Sequence, residues 1–336
     1  MDLTTIYLGL KLRTPLVPSA SPLCESLDNL KQMEDAGASA VVLHSLFEEQ
    51  IRMDGRALDR DSNESTGGYP EALNYFTAPA DFPAGPTTYL EHLARAKKSL
   101  AIPIIASLNG STFGGWTTFS KQIEQAGADA LELNFYSVPT DSAVSAEDIE
   151  HAYLTVLATV KAQLRIPVAV TLSPYFTNLA HFARRLDRHG ANALVLFNRF
   201  YQPDIDLNSL DVNPNVQLST PMDMRLPLRW IALLHGRIEA DLAATSGVHH
   251  GGDAIKLLMA GADVTMLCSV LLKRGINHLR EIERGMREWM EEHGYESVAQ
   301  LKGCMSQEKC PDPAAFERAQ YIRALRAYPV RSGLPA

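Results

Sequence analysis

The chain has 336 residues, of which 46% are hydrophobic and 21% charged, and its formal net charge is −8. These are ordinary values for a globular protein, and a chain of this length is typical of one α/β barrel. The acidic balance argues against nucleic acid as the main partner, although an anionic ligand needs only a local site.

The cysteines and the N-terminal segment indicate the compartment. None of the four cysteines, Cys24, Cys268, Cys304 and Cys310, pairs at a CxxC spacing. We therefore expect reduced thiols, a cytoplasmic location and no metal site. The N-terminus has no basic region followed by an apolar run, and no segment approaches the roughly 20 apolar residues of a membrane span. Neither a signal peptide nor a membrane partner is predicted.

One short pattern occurs four times, around Gly37, Gly127, Gly190 and Gly261. Each copy has the end of a helix, a glycine and then a continuous apolar run. Glycine commonly ends a helix, and an unbroken apolar run is typical of a parallel strand covered on both faces. These four strands and four more, at residues 15–19, 104–108, 168–172 and 239–245, make eight.

Helices are predicted between most strands, at residues 27–36, 117–126, 146–163, 179–189 and 252–260. Eight alternating units predict a closed (β/α)8 TIM barrel rather than an open doubly wound sheet, because no GxGxxG follows the first strand. We expect a single domain over residues 1–336, with a barrel core at 1–310 and a helical tail at 311–336. The long loops after strands two and six, residues 48–88 and 200–227, form either pocket lids and walls or surface and oligomer contacts.

The predicted C-terminal strand ends, where barrel enzymes keep their catalytic groups, are rich in hydroxyls and amides and poor in carboxylates. This composition argues against metal-assisted hydrolysis and two-carboxylate glycoside chemistry. It favours a planar polar ligand. The small residues around Ser246–Gly247 and Ser269 follow the last two strands, where backbone N–H groups usually hold a phosphate in this fold. A tight barrel corner without a ligand is the alternative.

Residues 14–21, 131–134 and 172–176, with the pairs Ser246–Gly247 and Cys268–Ser269, resemble the dihydroorotate dehydrogenase family in order and spacing, particularly its soluble class 1 branch. The resemblance implies an FMN oxidoreductase of pyrimidine biosynthesis that oxidises dihydroorotate to orotate. In that reaction a base removes a proton from one carbon while a hydride leaves the next for the flavin. The resemblance also implies a homodimer and a soluble electron acceptor or redox partner.

The resemblance assigns roles to individual residues. Ser137, three residues after Asn134, stands at the position of the catalytic base, where class 1 members usually have Cys and class 2 members Ser. Substrate binding is assigned to Asn134, Asn198, Asn74 and His44. FMN binding is assigned to Ala20, Ser21, His44, Asn109, Asn134, Thr171, Ser246, Gly247, Val248, Cys268 and Ser269.

Some positions depart from the family pattern. Thr171 and His44 stand where the family has lysines, and Val138–Pro139 replaces a Pro-Asn pair. A protonated His44 would partly compensate for the missing charge. The departures keep three alternatives open: a flavin enzyme for another dihydropyrimidine or enoate-like substrate, an FMN electron-transfer module for a partner enzyme, and a barrel that binds a sugar phosphate.

Overall fold

The computed structural model of the chain describes residues 1–48, 85–110, 113–199, 202, 204–208, 211–213 and 216–327. Its strands are β1 Thr5–Tyr7, β2 Leu10–Leu12, β3 Leu16–Pro18, β4 Val41–Phe47, β5 Ile104–Gly110, β6 Ala130–Phe135, β7 Val168–Leu172, β8 Ala193–Leu196, β9 Asp204–Asp206, β10 Asp211–Asn213, β11 Asp241–Thr245 and β12 Val264–Leu267. Its α-helices are α1 Leu27–Asp35, α2 Pro86–Ser99, α3 Phe113–Gln125, α4 Ala146–Gln163, α5 Leu179–Arg188, α6 Arg225–Leu234, α7 Gly251–Ala260, α8 Ser269–Arg274, α9 His278–Glu292, α10 Val298–Leu301 and α11 Pro313–Arg326.

Eight parallel strands form one sheet in the order β3-β12-β11-β8-β7-β6-β5-β4. The two ends of this order approach each other, because the Ser39 N–H just before β4 donates to the Leu16 carbonyl of β3 at 3.1 Å. The sheet therefore closes on itself, and helices flank it between successive strands. This arrangement confirms the predicted (β/α)8 barrel.

The strands alternate residues that face the barrel axis with residues that face the helices. In β7, Ala169 belongs to the inner core, whereas Val168, Val170 and Leu172 pack in the outer layer against the helices. Both layers are buried, which explains why the strand sequences read as continuous apolar runs. Truncating a fully buried side chain such as Leu172 to Ala is expected to cost about 2–5 kcal/mol.

The β1–β2 hairpin, which the sequence pattern did not predict, covers the N-terminal end of the barrel. Tyr7 is fully buried in the inner core, and the Leu8 N–H donates to Asp241 Oδ2 at 2.7 Å. The neighbouring Asp263 accepts from the Leu242 N–H at 2.8 Å and forms an ion pair with Lys302. These carboxylates are thus engaged in holding the hairpin and the sheet together.

The helices agree closely with the predicted ones. Helix α4 has the predicted bounds, and the other predicted helices differ by one to four residues at an end. One of the four glycines of the repeat illustrates why that position is glycine: Gly261 has φ of +122°, and a Cβ there would collide with the His235 ring. Helix α11 covers residues 313–326, while the division into a barrel core and a helical tail at residue 310 stays a prediction.

Over the part of the chain that the structure describes, no helix combines the length and apolar character needed to cross a bilayer.

Candidate functional site

A cavity opens at the C-terminal ends of the barrel strands, with a volume of about 860 Å³ when its open mouth is included. This size suits a cofactor or substrate. Nine of the residues assigned to the site from sequence come together in its lining: Ala20, Asn134, Thr171, Asn198, Ser246, Gly247, Val248, Cys268 and Ser269.

Four other assigned residues lie outside that lining. Ser21 is buried beside Cys24 after β3, Asn109 pairs in register with Asn134, and His44 and Ser137 lie in other surroundings described below. Asn74 and most of the long loop after β4 lie outside the described residues.

One part of the cavity, the β11–β12 end, consists of Ser246, Gly247, Cys268 and Ser269. Ser246 and Gly247 both have positive φ, +77° and +81°. A Cβ at Gly247 would collide with the backbone N of Met224, so only glycine fits. A non-glycine residue such as Ser246 held at positive φ is uncommon and clusters at ligand sites.

A wall of the cavity comes from the loop after β8, where Val216, Gln217, Leu218 and Ser219 line it. The Ser219 N–H donates to Ser269 Oγ at 2.9 Å, and the Gly247 N–H donates to Ser219 Oγ at 3.3 Å. This segment belongs to the loop predicted to form a lid or wall, and the wall is confirmed for these residues. Sequence reasoning missed Ser219 itself, because no local pattern marks a loop serine as facing the cavity.

The opposite part, the β6–β8 end, consists of Glu132, Asn134, Thr171 and Asn198. The Asn198 Nδ2 donates to Asn134 Oδ1 at 2.6 Å, so the two predicted amides form a pair. Their remaining amide N–H groups and the Asn198 carbonyl oxygen are not used in this bond, which leaves both donors and acceptors for a ligand.

Glu132 is the functional candidate that sequence reasoning missed. It precedes Asn134 by two residues in β6, so both side chains face the barrel interior. Glu132 is 5% exposed and lines the cavity. Burial raises the pKa of its carboxyl to about 7, against an opposing effect of the adjacent Thr171 hydroxyl. Even so, Glu132 Oε2 and Thr171 Oγ1 lack a partner at full hydrogen-bond geometry. The clue in the sequence was a carboxylate at an inward position of a buried strand.

Arg199 is the one Lys or Arg among the described residues that line the cavity. It forms an ion pair with Asp223, with Nη1 and Oδ1 3.2 Å apart, and both side chains are about one-third exposed. The charge of Arg199 is therefore already balanced at the cavity rim.

His44 packs toward helix α2 because β4 contains an irregularity. The register with β5 shifts between Val42 and Ser45, and the Tyr89 hydroxyl bonds the Ser107 backbone in this region. The His44 ring contacts the rings of Tyr89 and His92 at centroid distances of 5.1 and 5.7 Å.

Burial and the nearby His92 lower the pKa of His44 to about 4. His44 is therefore neutral at pH 7, so it does not supply the charge of the missing lysine in this structure. The physical reason is its packed, poorly solvated position against α2.

Ser137 lies in a neighbouring groove with Val138, Tyr153, Ser173 and Tyr175. Burial raises the pKa of Tyr153, and a hydrogen bond with the Ser137 side chain opposes that rise. The predicted base is therefore half-buried beside an aromatic hydroxyl, three residues beyond the Asn134 that lines the main cavity.

The sequence model of the family described as dihydroorotate dehydrogenase matches residues 2–290. The chain belongs to this family. Family members are flavin-dependent oxidoreductases that act on CH–CH bonds, and this chain is an oxidoreductase of that class. The resemblance predicted from the sequence motifs is confirmed.

Three relatives show the range within the family. The "Dihydroorotate dehydrogenase B (NAD(+)), catalytic subunit" of Thermoplasma volcanium is 26% identical, covering 90% of this chain and 98% of the relative. The protein of the same name from Methanothermobacter thermautotrophicus is 23% identical, covering 90% and 97%. The "Dihydropyrimidine dehydrogenase (NADP(+)), chloroplastic" of Arabidopsis thaliana is 22% identical, covering 90% and 76%.

The residues present fit a flavin by two observations. At the β11–β12 end, small residues line the cavity, and the Gly247 N–H there donates to Ser219 Oγ over a long 3.3 Å, a bond that a phosphate oxygen could replace. At the β6–β8 end, Thr171 Oγ1 and Glu132 Oε2 are buried without a hydrogen-bond partner. A polar heterocycle can supply partners for such atoms.

Proposed function

We propose that this protein binds FMN in the cavity at the strand ends and oxidises dihydroorotate to orotate. One observation carries the proposal: the cavity at the strand ends has a backbone-built β11–β12 end and an amide-lined β6–β8 end. Two such different ends match a molecule with a phosphate at one end and a planar ring at the other.

At the β11–β12 end, the Gly247 and Ser269 amides and the Ser269 hydroxyl are proposed to hold the phosphate, with Ala20, Ser246, Val248 and Cys268 around it. Backbone N–H groups bind a phosphate through their dipoles without a cationic side chain. Ser219 takes up part of this bonding capacity, because its hydroxyl accepts from the Gly247 N–H. Phosphate binding would release this amide or share it.

At the β6–β8 end, the Asn134–Asn198 pair is proposed to orient the substrate ring through its unused amide groups. When bound, FMN supplies a hydride acceptor for one carbon of the substrate. Ser137 is proposed to take the proton from the adjacent carbon. A serine hydroxyl needs help to act as a base, and the Tyr153 hydroxyl beside it is the neighbour available for positioning it.

A neutral dihydropyrimidine is the second candidate substrate. Among the described residues of the cavity lining, the one cation is Arg199, and Asp223 already neutralises it. Dihydroorotate carries a carboxylate, and the described lining offers no free cation to pair with that charge. A dihydropyrimidine without that carboxylate needs no cationic partner. A dihydropyrimidine dehydrogenase is among the relatives.

We further propose that the protein passes its electrons to a soluble acceptor or a partner subunit. Support comes from two relatives that are named catalytic subunits of NAD⁺-linked enzymes. A homodimer and a cytoplasmic location accompany this proposal as expectations of the family resemblance.

An anaerobic screen tests the proposal. Purified protein is loaded with FMN, mixed without oxygen with dihydroorotate or with dihydrouracil, and the flavin absorbance is followed. Bleaching by dihydroorotate supports the main proposal, and bleaching by dihydrouracil alone supports the second candidate. Failure of the protein to bind FMN contradicts both candidate functions and favours a different phosphorylated ligand.

A further inference from the structure

The carboxyl group of Glu132 lies at the floor of the cavity without a partner that explains its burial. It is 5% exposed, and Oε2 makes no hydrogen bond in the described part of the chain. A buried carboxylate is ordinarily paired with a cation or bonded to several N–H groups, because an unpaired charge is costly to bury. The carboxylate of Asp263 at the other end of the barrel follows that rule, since it accepts from the Leu242 N–H and pairs with Lys302.

The groups that face Glu132 are uncharged near neutral pH. Thr171 approaches it from β7, and its hydroxyl is likewise unpartnered. Tyr7 from the β1–β2 hairpin and Tyr89 from α2 interact with it electrostatically, and burial raises the pKa of both phenols. Among these neighbours no cation stabilises an ionised Glu132. A protonated carboxyl is the form that this environment accepts.

We infer that Glu132 binds the ligand ring as a neutral carboxylic acid, donating its proton from Oε2 to an acceptor atom on the ring edge. This inference rests on the proposed binding of FMN and adds a binding residue to that site. Glu132 and Thr171 together offer two hydroxyl donors on one wall, next to the amides of Asn134 and Asn198. Such a wall recognises a neutral carbonyl or ring nitrogen and disfavours an anionic edge.

The inference predicts how the affinity for FMN changes with pH. Donation to the ligand stabilises the protonated carboxyl, so binding raises the pKa of Glu132 further above its ligand-free value. The affinity for FMN is then greatest below pH 7 and weakens as the pH rises above 7, by up to about tenfold per pH unit.

The experiment titrates FMN into full-length, FMN-depleted protein at pH 6, 7, 8 and 9, with quenching of flavin fluorescence as the readout. Wild type is compared with Glu132→Gln, whose amide donates at every pH, and with Glu292→Gln, which removes an exposed carboxyl at the end of α9. The phosphate of FMN titrates equally in all three proteins, so differences between them report the protein.

The expected result is that wild type and Glu292→Gln lose about tenfold or more in affinity between pH 7 and 9 relative to Glu132→Gln. Parallel pH profiles for wild type and Glu132→Gln, with FMN bound tightly by both, would overturn this inference and leave the proposed function intact. Absence of FMN binding at every pH would overturn both. A Glu132→Asp variant, which keeps the titrating group, should retain the wild-type slope.

Discussion

The two ends of the cavity are built from different parts of the polypeptide. The β11–β12 end presents main-chain amides, shaped by positive φ at Ser246 and Gly247. The β6–β8 end presents side chains, with the Asn134–Asn198 pair beside Glu132 and Thr171. Main-chain hydrogen bonds depend little on residue identity, whereas side chains change with each substitution. If the two ends have the proposed roles, cofactor anchoring and ring recognition can vary independently, and the departure from the family pattern at Thr171 falls on the second end.

The largest expected effect is on the rate of flavin reduction. It tests whether the groove that contains Ser137 acts together with the β6–β8 end. Replacing Ser137 with Ala should slow flavin reduction by roughly 10²–10⁴-fold, because that is the usual contribution of a general base. Single-turnover flavin absorbance gives the rate. The control is Ser173→Ala, since Ser173 lines the same groove. An unchanged rate in Ser137→Ala would exclude the base role.

The next prediction concerns the backbone-built end. Gly247→Ala should lower the free energy of unfolding by about 4 kcal/mol, because it adds overpacking against Met224 to an unfavourable positive φ. Urea unfolding measures the loss. Gly252→Ala is the matched control, since a Cβ at Gly252 meets no atom within 4 Å. Equal stability of the two variants would show that the loop relaxes around the new side chain.

The third prediction concerns the carboxyl in the side-chain end. The folded-state pKa of Glu132 is raised from 4.5 to about 7. Its protonated form therefore contributes stability below pH 4.5 that is lost as the pH rises toward 7. The loss amounts to about 3 kcal/mol, at 1.36 kcal/mol for each unit of pKa shift.

Glu132→Gln should escape that loss, so its unfolding free energy relative to wild type should rise by about 3 kcal/mol between pH 4.5 and pH 8. Urea unfolding at both pH values measures it. A constant difference between the two proteins would mean that Glu132 ionises at its ordinary pKa.

The smallest expected effect concerns the amide pair. Asn198→Ala and Asn134→Ala should each lower kcat/KM by about 10-fold, the value of one or two hydrogen bonds to a substrate ring. Because the two side chains bond each other, the double variant should lose less than the sum of the single losses. Strict additivity would indicate that the two amides act separately.

The fold was predictable because it depends on patterns along the chain. Helix-ending glycines followed by apolar runs located four strands, and their alternation with helices gave the barrel. The β1–β2 hairpin escaped because its strands have three residues each, too few for a periodic pattern.

The lining of the cavity was predictable where a residue lies at a strand end, as at Asn134, Thr171 and Gly247, while the roles of these residues stay predictions. Ser219 and Glu132 were missed for different reasons. The position of Ser219 depends on how a long loop folds back over the barrel, which no local pattern encodes. Glu132 lies two residues before Asn134, on the same inward face of β6. A carboxylate is rarely fully buried, so none is expected at such a position.

The irregularity in β4 limits how this chain could be converted back to the family pattern. A lysine introduced at position 44 would start from a backbone that directs the side chain toward Tyr89 and His92. Its ammonium would then lie between α2 and the sheet, outside the lining of the cavity. Position 171 differs, because Thr171 already faces the cavity next to the Glu132 carboxyl. Thr171→Lys is therefore the substitution that would restore a cation beside the proposed flavin site, and its ammonium would favour ionisation of the Glu132 carboxyl.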